Sequence, residues 1–302
     1  MTRAARIRAA QIAVMVLVLA FVLRALAARW DEFRAIELTI RLAPAWIALS
    51  VGVVLTTYLI QIESWRRVLA GWRQRLPYRS AARIWCVANL GRYLPGKIWT
   101  VAGMVVMVQR AGVESWAAVA SAVVMQALAF GTGAAAALAL PTGGFGPRLA
   151  LGVALATSLL LAMGSAKLVR LANRLLSGVV LRPLPPLAVL TGGILMFASW
   201  VGYGVAFWAL ARGVGVAGLT LPTAVSVFAA GYLLGWLAFL FPAGLGVREG
   251  VFLQLLQPAI GASGAVVLGV ASRLLLTAAE LAAAGLAALL ARLDVPGRNG
   301  TR

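Results

Sequence analysis

Apolar residues gather into long runs separated by short basic stretches. A helix needs about 20 predominantly apolar residues to cross a hydrocarbon core. An apolar run at residues 12–23 is followed by uncharged runs at 42–62, 116–140, 149–166 and 187–211, each bounded by cations, Pro or Gly. The uncharged run 214–247 is too long for one helix and holds Pro222 and Pro242, which predicts a helix at 221–241 followed by a break. The region 250–290 contains only Arg273 and Glu280 as charged residues, and Pro258, Gly261 and Gly264 divide it into a short helical piece and one long final helix. The pattern predicts an all-α polytopic membrane bundle of seven or eight spans. No soluble block or linker is large enough for a second domain, so residues 1–302 read as a single membrane domain.

Composition sharpens this picture. Of 302 residues 62% are hydrophobic and 12% charged, where a soluble domain carries about a quarter charged. The net charge of +19, from 27 Arg and Lys against eight acids, lies between the apolar runs rather than on one face, so it orients a membrane protein and does not indicate nucleic acid. Three Arg precede the first run, six lie between Arg66 and Arg83, and Lys167, Arg170, Arg174 and Arg182 follow the run 149–166; these segments are expected in the cytoplasm. The loops 141–148 and 212–220 carry one cation each, and Arg29, Arg34 and Arg41 are offset by Asp31, Glu32 and Glu37. A tail with Arg292, Arg298 and Arg302 on the cytoplasmic side requires an even number of crossings, which favours eight. The N-terminus resembles a cleaved signal peptide, but Arg24 and the many later runs favour an uncleaved anchor with a cytoplasmic N-terminus. Ala and Arg richness with few Lys points to a GC-rich bacterium and hence to its plasma membrane. Between Glu63 and Arg83, Trp65, Leu69, Trp72 and Leu76 alternate with Arg66, Arg67, Arg73 and Arg75, which predicts an amphipathic helix on the cytoplasmic interface. Cys86 is the lone cysteine and there is no His, which argues against disulfides, zinc chemistry and Ser-His catalysis; no cofactor is expected.

Two segments break the apolar pattern. "NLGRYLPGKIWT" interrupts 84–109 with Arg92 and Lys97, and "FPAGLGVREG" interrupts 241–262. Pro95 and Pro242 stand 147 positions apart, close to half the chain, and paired Pro/Gly interruptions in corresponding halves mark broken helices at a transporter-type site. Pro95 suits the first turn of a helix beginning near Gly96, whose free N–H groups attract an anion that Arg92 and Lys97 would hold. In the second break Gly244 and Gly246 permit a turn, Glu249 falls in the first turn of the next helix, where the dipole favours it, and Arg248 should point elsewhere. The competing reading makes Arg92 and Lys97 snorkelling anchors at a tight turn. Arg273 and Glu280, two turns apart on one face, read first as structural ion-pair partners, of each other or of Glu249 and Arg248. Glu63 has Arg66 and Arg67 at i+3 and i+4 for a local pair. Gln126 reads as an interhelical hydrogen-bonding residue, and Gly231 with Gly235 as a close-packing face.

The segments "ANLGRYLPGKIW", "RAGV" (residues 110–113) and "FPAGLGVREG" resemble the two signature regions of the lysylphosphatidylglycerol synthase transmembrane, or flippase-like, family over roughly residues 12–290. The resemblance implies movement of lipid-linked anionic or aminoacylated headgroups, at a site on the Arg92/Lys97 and Arg248/Glu249 segments; with the residues read from the pattern, the candidate binding residues are Asn89, Arg92, Tyr93, Pro95, Gly96, Lys97, Pro242, Gly244, Gly246, Arg248, Glu249, Arg273 and Glu280. Synthases of that family carry a soluble aminoacyl-transferring domain after the membrane part, and this chain stops at Arg302, so lysyl transfer is not expected. The expected function is transport of an anionic or polyprenyl-linked lipid in cell-envelope biogenesis, without catalysis. The alternative is a non-catalytic membrane scaffold, or a subunit of an enzyme that modifies a lipid or polyprenyl phosphate, with cell-envelope biosynthesis proteins as partners.

Overall fold

A computed structural model describes residues 42–93, 98–138, 165–175, 182–237, 244 and 246–293. The expected first span at 12–23, the loop 141–148, the run 149–166 apart from its last two residues, and the tail beyond 293 lie outside them. All regular structure among the described residues is helical: α1 Pro44–Gly71, α2 Tyr78–Asn89, α3 Ile98–Arg110, α4 Ser115–Leu138, α5 Ala166–Leu175, α6 Pro186–Gly213, α7 Leu221–Leu237 and α8 Val247–Leu293, with a 3-10 turn Leu90–Tyr93 after α2. Helices α1, α4, α6 and the Val247–Ala287 part of α8 are long and apolar enough to cross a membrane. Within α8, Gly261 adopts φ 73°, ψ 164°, a conformation open to Gly and costly to other residues. The break three residues after Pro258 divides α8 into segments 247–260 and 262–293, as the sequence pattern predicts.

Helices α1 and α6 form the central pair, each of 28 residues. The Ala43 N–H donates to the Gly213 carbonyl (2.9 Å), Ser50 Oγ to Ala206 O (2.7 Å) and Ser64 Oγ to Gly192 O (2.9 Å). All three pairs straddle one midpoint in sequence, so the helices lie antiparallel in unbroken register. Small residues allow this closeness: a Cβ on Gly202 would fall 2.4 Å from Thr57 Oγ1. Helix α4 is tied to the pair by indole donors, Trp65 Nε1 to Ser121 Oγ and Trp200 Nε1 to Thr132 Oγ1, both 3.2 Å. On α6, Leu187, Leu190, Ile194, Phe197 and Val201 form an exposed apolar stripe; such a surface suits lipid better than water.

The shorter helices come in antiparallel pairs. Helices α2 and α3, of 12 and 13 residues, are each roughly 20 Å long, less than the roughly 30 Å of hydrocarbon. Ala88 lies over Gly103, and Gly91 lies against the Thr100 backbone; both contacts are centred between positions 95 and 96. Helix α7 packs on the first segment of α8 in the same manner. Gly231 lies under the Phe252 ring and Gly235 under Arg248, both centred between positions 241 and 242. Gly231 and Gly235 thus serve the close packing read from the sequence.

The expected interfacial helix over 63–83 differs from what forms. Residues 63–71 are the last turns of α1, and the chain turns at 72–77, with Arg73 in the left-handed region (φ 60°), before α2 begins at Tyr78. Trp65 and Leu69 are fully buried, and Trp72 and Leu76 nearly so, in the protein core. The apolar stripe faces neighbouring helices rather than a lipid interface. Glu63 pairs with Arg66 and Arg67 at 2.6 Å each, as its spacing implies.

The turn 72–77 shares one end of the bundle with the α3–α4 loop and the start of α6. Trp72 Nε1 donates to Arg182 O (3.1 Å), Gln74 Nε2 to Glu114 Oε1 (2.8 Å), and the Arg182 guanidinium lies 4.1 Å from the Trp116 ring centroid. Hydrogen bonds from Trp116 and from Gln74 hold the Glu114 carboxyl below the usual carboxylate range. The opposite end, around Ala43, Gly213 and the α6–α7 loop, has Arg212 over Trp46 and Trp208.

Candidate functional site

A cavity of about 190 Å³ opens among α1, α2, α3, α4, α6, α7 and α8. The long helices contribute from their middles: Ala122 to Ala129 of α4, Met196 to Tyr203 of α6, and Arg273 to Glu280 of α8. The cavity therefore sits near half the height of the bundle. Both broken segments reach it, since Asn89, Arg92 and Tyr93 line it from the first and Arg248 from the second. The sequence has brought to one place two motifs about half a chain apart.

On the first side, the α2 helix ends in a clamp. Asn89 Nδ2 donates to Trp85 O (2.9 Å), which turns Asn89 Oδ1 toward Arg92 Nη2, 2.6 Å away. Arg92 Nη1 donates to Glu280 Oε1 (2.6 Å), and the Tyr93 hydroxyl donates to Glu280 Oε2 (2.7 Å) while lying 3.2 Å from Thr277 Oγ1. Both oxygens of this carboxylate, 8% exposed, are thus taken by the first broken segment. A short buried ion pair of this kind fixes the position of both groups more than it stabilises the fold.

On the second side, Gly244 and Gly246 have φ of 68° and 83°. Glu249 lies in the first turn of α8, accepts the Gly246 N–H (2.9 Å) and pairs with Arg273. Arg248 points the other way. It is 8% exposed, with its guanidinium 5.2 and 5.0 Å from the Phe228 and Phe252 ring centroids. Nη2 donates to Ser272 Oγ (2.9 Å), which is itself bonded to Gly269 O, and Nε has no hydrogen-bond partner. Arg248 forms no salt bridge with a carboxylate among the described residues.

Of the two pairings the sequence left open, Arg273 with Glu280 does not form, whereas Arg273 with Glu249 does. Arg273 and Glu280 share a face and both line the cavity, but Arg273 pairs with Glu249 and Glu280 with Arg92. Partners from other segments approach closer than two helical turns allow. Gln126 lines the cavity and makes no hydrogen bond to another described residue, so it is a wall residue rather than an interhelical tie. Pro95, Gly96, Lys97 and Pro242 lie outside the described residues. Gly244 and Gly246 shape the turn and do not line the cavity.

Sequence reading overlooked most of the polar and aromatic wall: Gln61, Thr100, Tyr203, Tyr232, Trp236 and Thr277 all line the cavity. Gln61 is held by Tyr203 (3.3 Å) and Ser199 (3.4 Å), and Thr100 Oγ1 has no partner. A glutamine inside an otherwise charge-free run was the available signal for Gln61, as for Gln126. No family model matches the chain, and no curated protein matches it with significant similarity.

Proposed function

We propose that the chain is a flippase-like transporter that takes the anionic headgroup of a membrane lipid, phospholipid or polyprenyl-linked, into the cavity between its two broken segments. The observation that carries this reading is Arg248, a buried cation without a salt-bridge partner among the described residues, on the wall of a cavity at half height. An isolated buried charge is costly, and ionisable groups inside membrane segments are mostly functional. A bound anion would offset that cost. At about 190 Å³ the cavity is smaller than the roughly 300–1,000 Å³ of ordinary small-molecule sites, which suits a headgroup whose chains stay in the bilayer.

The two short helix pairs, centred near Pro95 and Pro242, support two re-entrant hairpins in an internal pseudo-repeat, as in transporters built from discontinuous helices. The resemblance of the two signature segments to the lysylphosphatidylglycerol synthase transmembrane family supports the same reading. On this proposal the bundle has seven or eight spans, a cytoplasmic N-terminus and a place in a bacterial plasma membrane.

The test is movement of fluorescent phosphatidylglycerol across proteoliposomes, read as the fraction protected from an external reductant. The intact chain should equilibrate both leaflets, and Arg248→Ala and Arg92→Ala should fall to the rate of protein-free vesicles while remaining folded. Equal movement with and without the intact chain would sink the reading.

A further inference from the structure

Helix α5, Ala166–Leu175, lies outside the cavity wall. Helices shorter than about 12–15 residues are marginal in water unless packing holds them. Helix α5 has ten residues, and among the described residues no other helix packs along it. Val169, 6% exposed, is the one side chain it buries among those described. Its sequence, AKLVRLANRL, holds three cations and no acid. At about 100° per residue, Lys167, Arg170 and Arg174 fall on one face about 60° wide, and positions 168, 171 and 175, all Leu, on a second face about 100° further round. Val169 falls on the remaining side. The three cations are exposed and form no salt bridge with a described acid, and Leu171 is 50% exposed. One side of α5 therefore rests on protein, and a basic face and a leucine face are left beside each other.

Arg182, seven residues beyond Leu175, accepts the Trp72 indole N–H at the basic end of the bundle. A chain extends at most about 3.6 Å per residue, which keeps the end of α5 within about 25 Å of that contact. Basic ends face the cytoplasm. We propose that α5 lies in the plane of the cytoplasmic membrane surface and is a binding surface for anionic lipid headgroups, with its leucine face at the acyl chains and its cations at the phosphates. An apolar face beside a Lys/Arg-rich one is the pattern of helices that lie in the interface. A solvated basic loop would carry the cations without the leucines. Each cation near an anionic leaflet strengthens binding about five-fold, and three together on the order of 100-fold. Three long side chains on an open face form no pocket, so α5 responds to surface charge and not to the identity of the headgroup.

The full chain in lipid nanodiscs tests this. In a Cys86→Ser background, Leu171→Cys carries a bimane label, and labelled Ala111→Cys, exposed in the α3–α4 loop of the basic end, is the water-facing reference. In phosphatidylcholine discs containing phosphatidylglycerol, the Leu171 label should be quenched by lipid bearing a nitroxide near the headgroup and shielded from aqueous acrylamide, with the reverse at Ala111. Phosphatidylserine in place of phosphatidylglycerol should give the same readings. Lys167→Gln, Arg170→Gln and Arg174→Gln together should lower the ratio of docked to undocked helix in anionic discs on the order of 100-fold and remove the difference from pure phosphatidylcholine. A Leu171 label as open to acrylamide as the Ala111 label in anionic discs overturns the proposal. Shielding without nitroxide quenching also overturns it, because the cover is then a protein surface, another segment of this chain or a second copy. Equal docking in neutral and anionic discs overturns the role of the cations. The lipid series on the chain that keeps all three cations decides the matter even where the triple variant does not fold. Lipid movement through the cavity does not enter these readings, so α5 and the transport activity stand or fall separately.

Discussion

Glu280 accepts from Arg92 and Tyr93 at once, so two segments of the molecule meet on one carboxylate. Replacing it with Gln leaves the Arg92 guanidinium without its charge partner. Breaking one side of a buried pair costs about 3 kcal/mol or more, whereas removing both partners can be nearly neutral. Glu280→Gln should therefore lower the unfolding midpoint in detergent more than Arg92→Gln, Glu280→Gln together. A double mutant whose loss equals the sum of the two single losses would show that the pair makes no coupled contribution. The residues were readable from the sequence because charges are scarce in these runs, and Glu249 was among the partners open to Arg273; Arg92 as the partner of Glu280 was not readable. Arg273 and Glu280 are two turns apart on one helix, and only the tertiary arrangement supplies Glu249 to one and Arg92 to the other. The hydroxyl, amide and aromatic lining stayed hidden for a related reason, since residues such as Tyr203 and Tyr232 also occur routinely as packing residues in membrane helices.

At the scale of helices and turns, glycines report where backbones touch. A Cβ on Gly244 would meet the Gly235 carbonyl at 2.7 Å in a residue already at φ 68°, whereas one on Gly246, at φ 83°, meets nothing within 4 Å. Gly244→Ala combines a clash with left-handed strain of about 1–2 kcal/mol, so it should destabilise clearly more than Gly246→Ala. Thermal unfolding of the two variants checks the order, and an equal loss would mean that the contact with α7 is unimportant. Gly231→Val sets a branched side chain against the Phe252 ring, where even a Cβ would fall 2.3 Å away, and should cost about 1–3 kcal/mol by overpacking. Arg73 is the reverse case. A non-glycine residue at φ 60° after α1 occupies a place where glycine is preferred, so Arg73→Gly should raise the unfolding midpoint. The long helices and the break near Pro258 were legible because run length and Gly/Pro punctuation are local signals. The end of α1 was missed because the Trp and Leu spacing continues across it, although Gly71 and Pro77 bracket the turn.

For the molecule as a whole, the antiparallel α1–α6 pair fixes which loops share an end. The end formed by the turn 72–77, the α3–α4 loop and the start of α6 carries Arg73, Arg75, Arg79, Arg110 and Arg182 against Glu114. The other end, among the described residues of α1, α6 and the α6–α7 loop, carries Arg212. Positive loops stay in the cytoplasm, so the basic end should face it. Among the described residues, the basic stretch 72–77 and Arg182, both expected on the cytoplasmic side, share this end, and the cation-poor loop 212–220 lies at the other. The two interrupted segments were legible from their Pro, Gly and cations; what the sequence did not disclose is which side chains of the long helices would meet them at the cavity. Cysteine accessibility tests the orientation directly. In a Cys86→Ser background, Ala217→Cys, exposed on the Arg212 end, should react with an impermeant maleimide added to intact spheroplasts. Ala111→Cys, exposed on the basic end, should react only after the membrane is opened. The reverse pattern would turn the molecule over and place its basic loops outside, against the direction in which anionic cytoplasmic lipid holds them. Arg248 would then face the same cavity from the opposite leaflet, so the experiment also fixes the end from which a headgroup must enter.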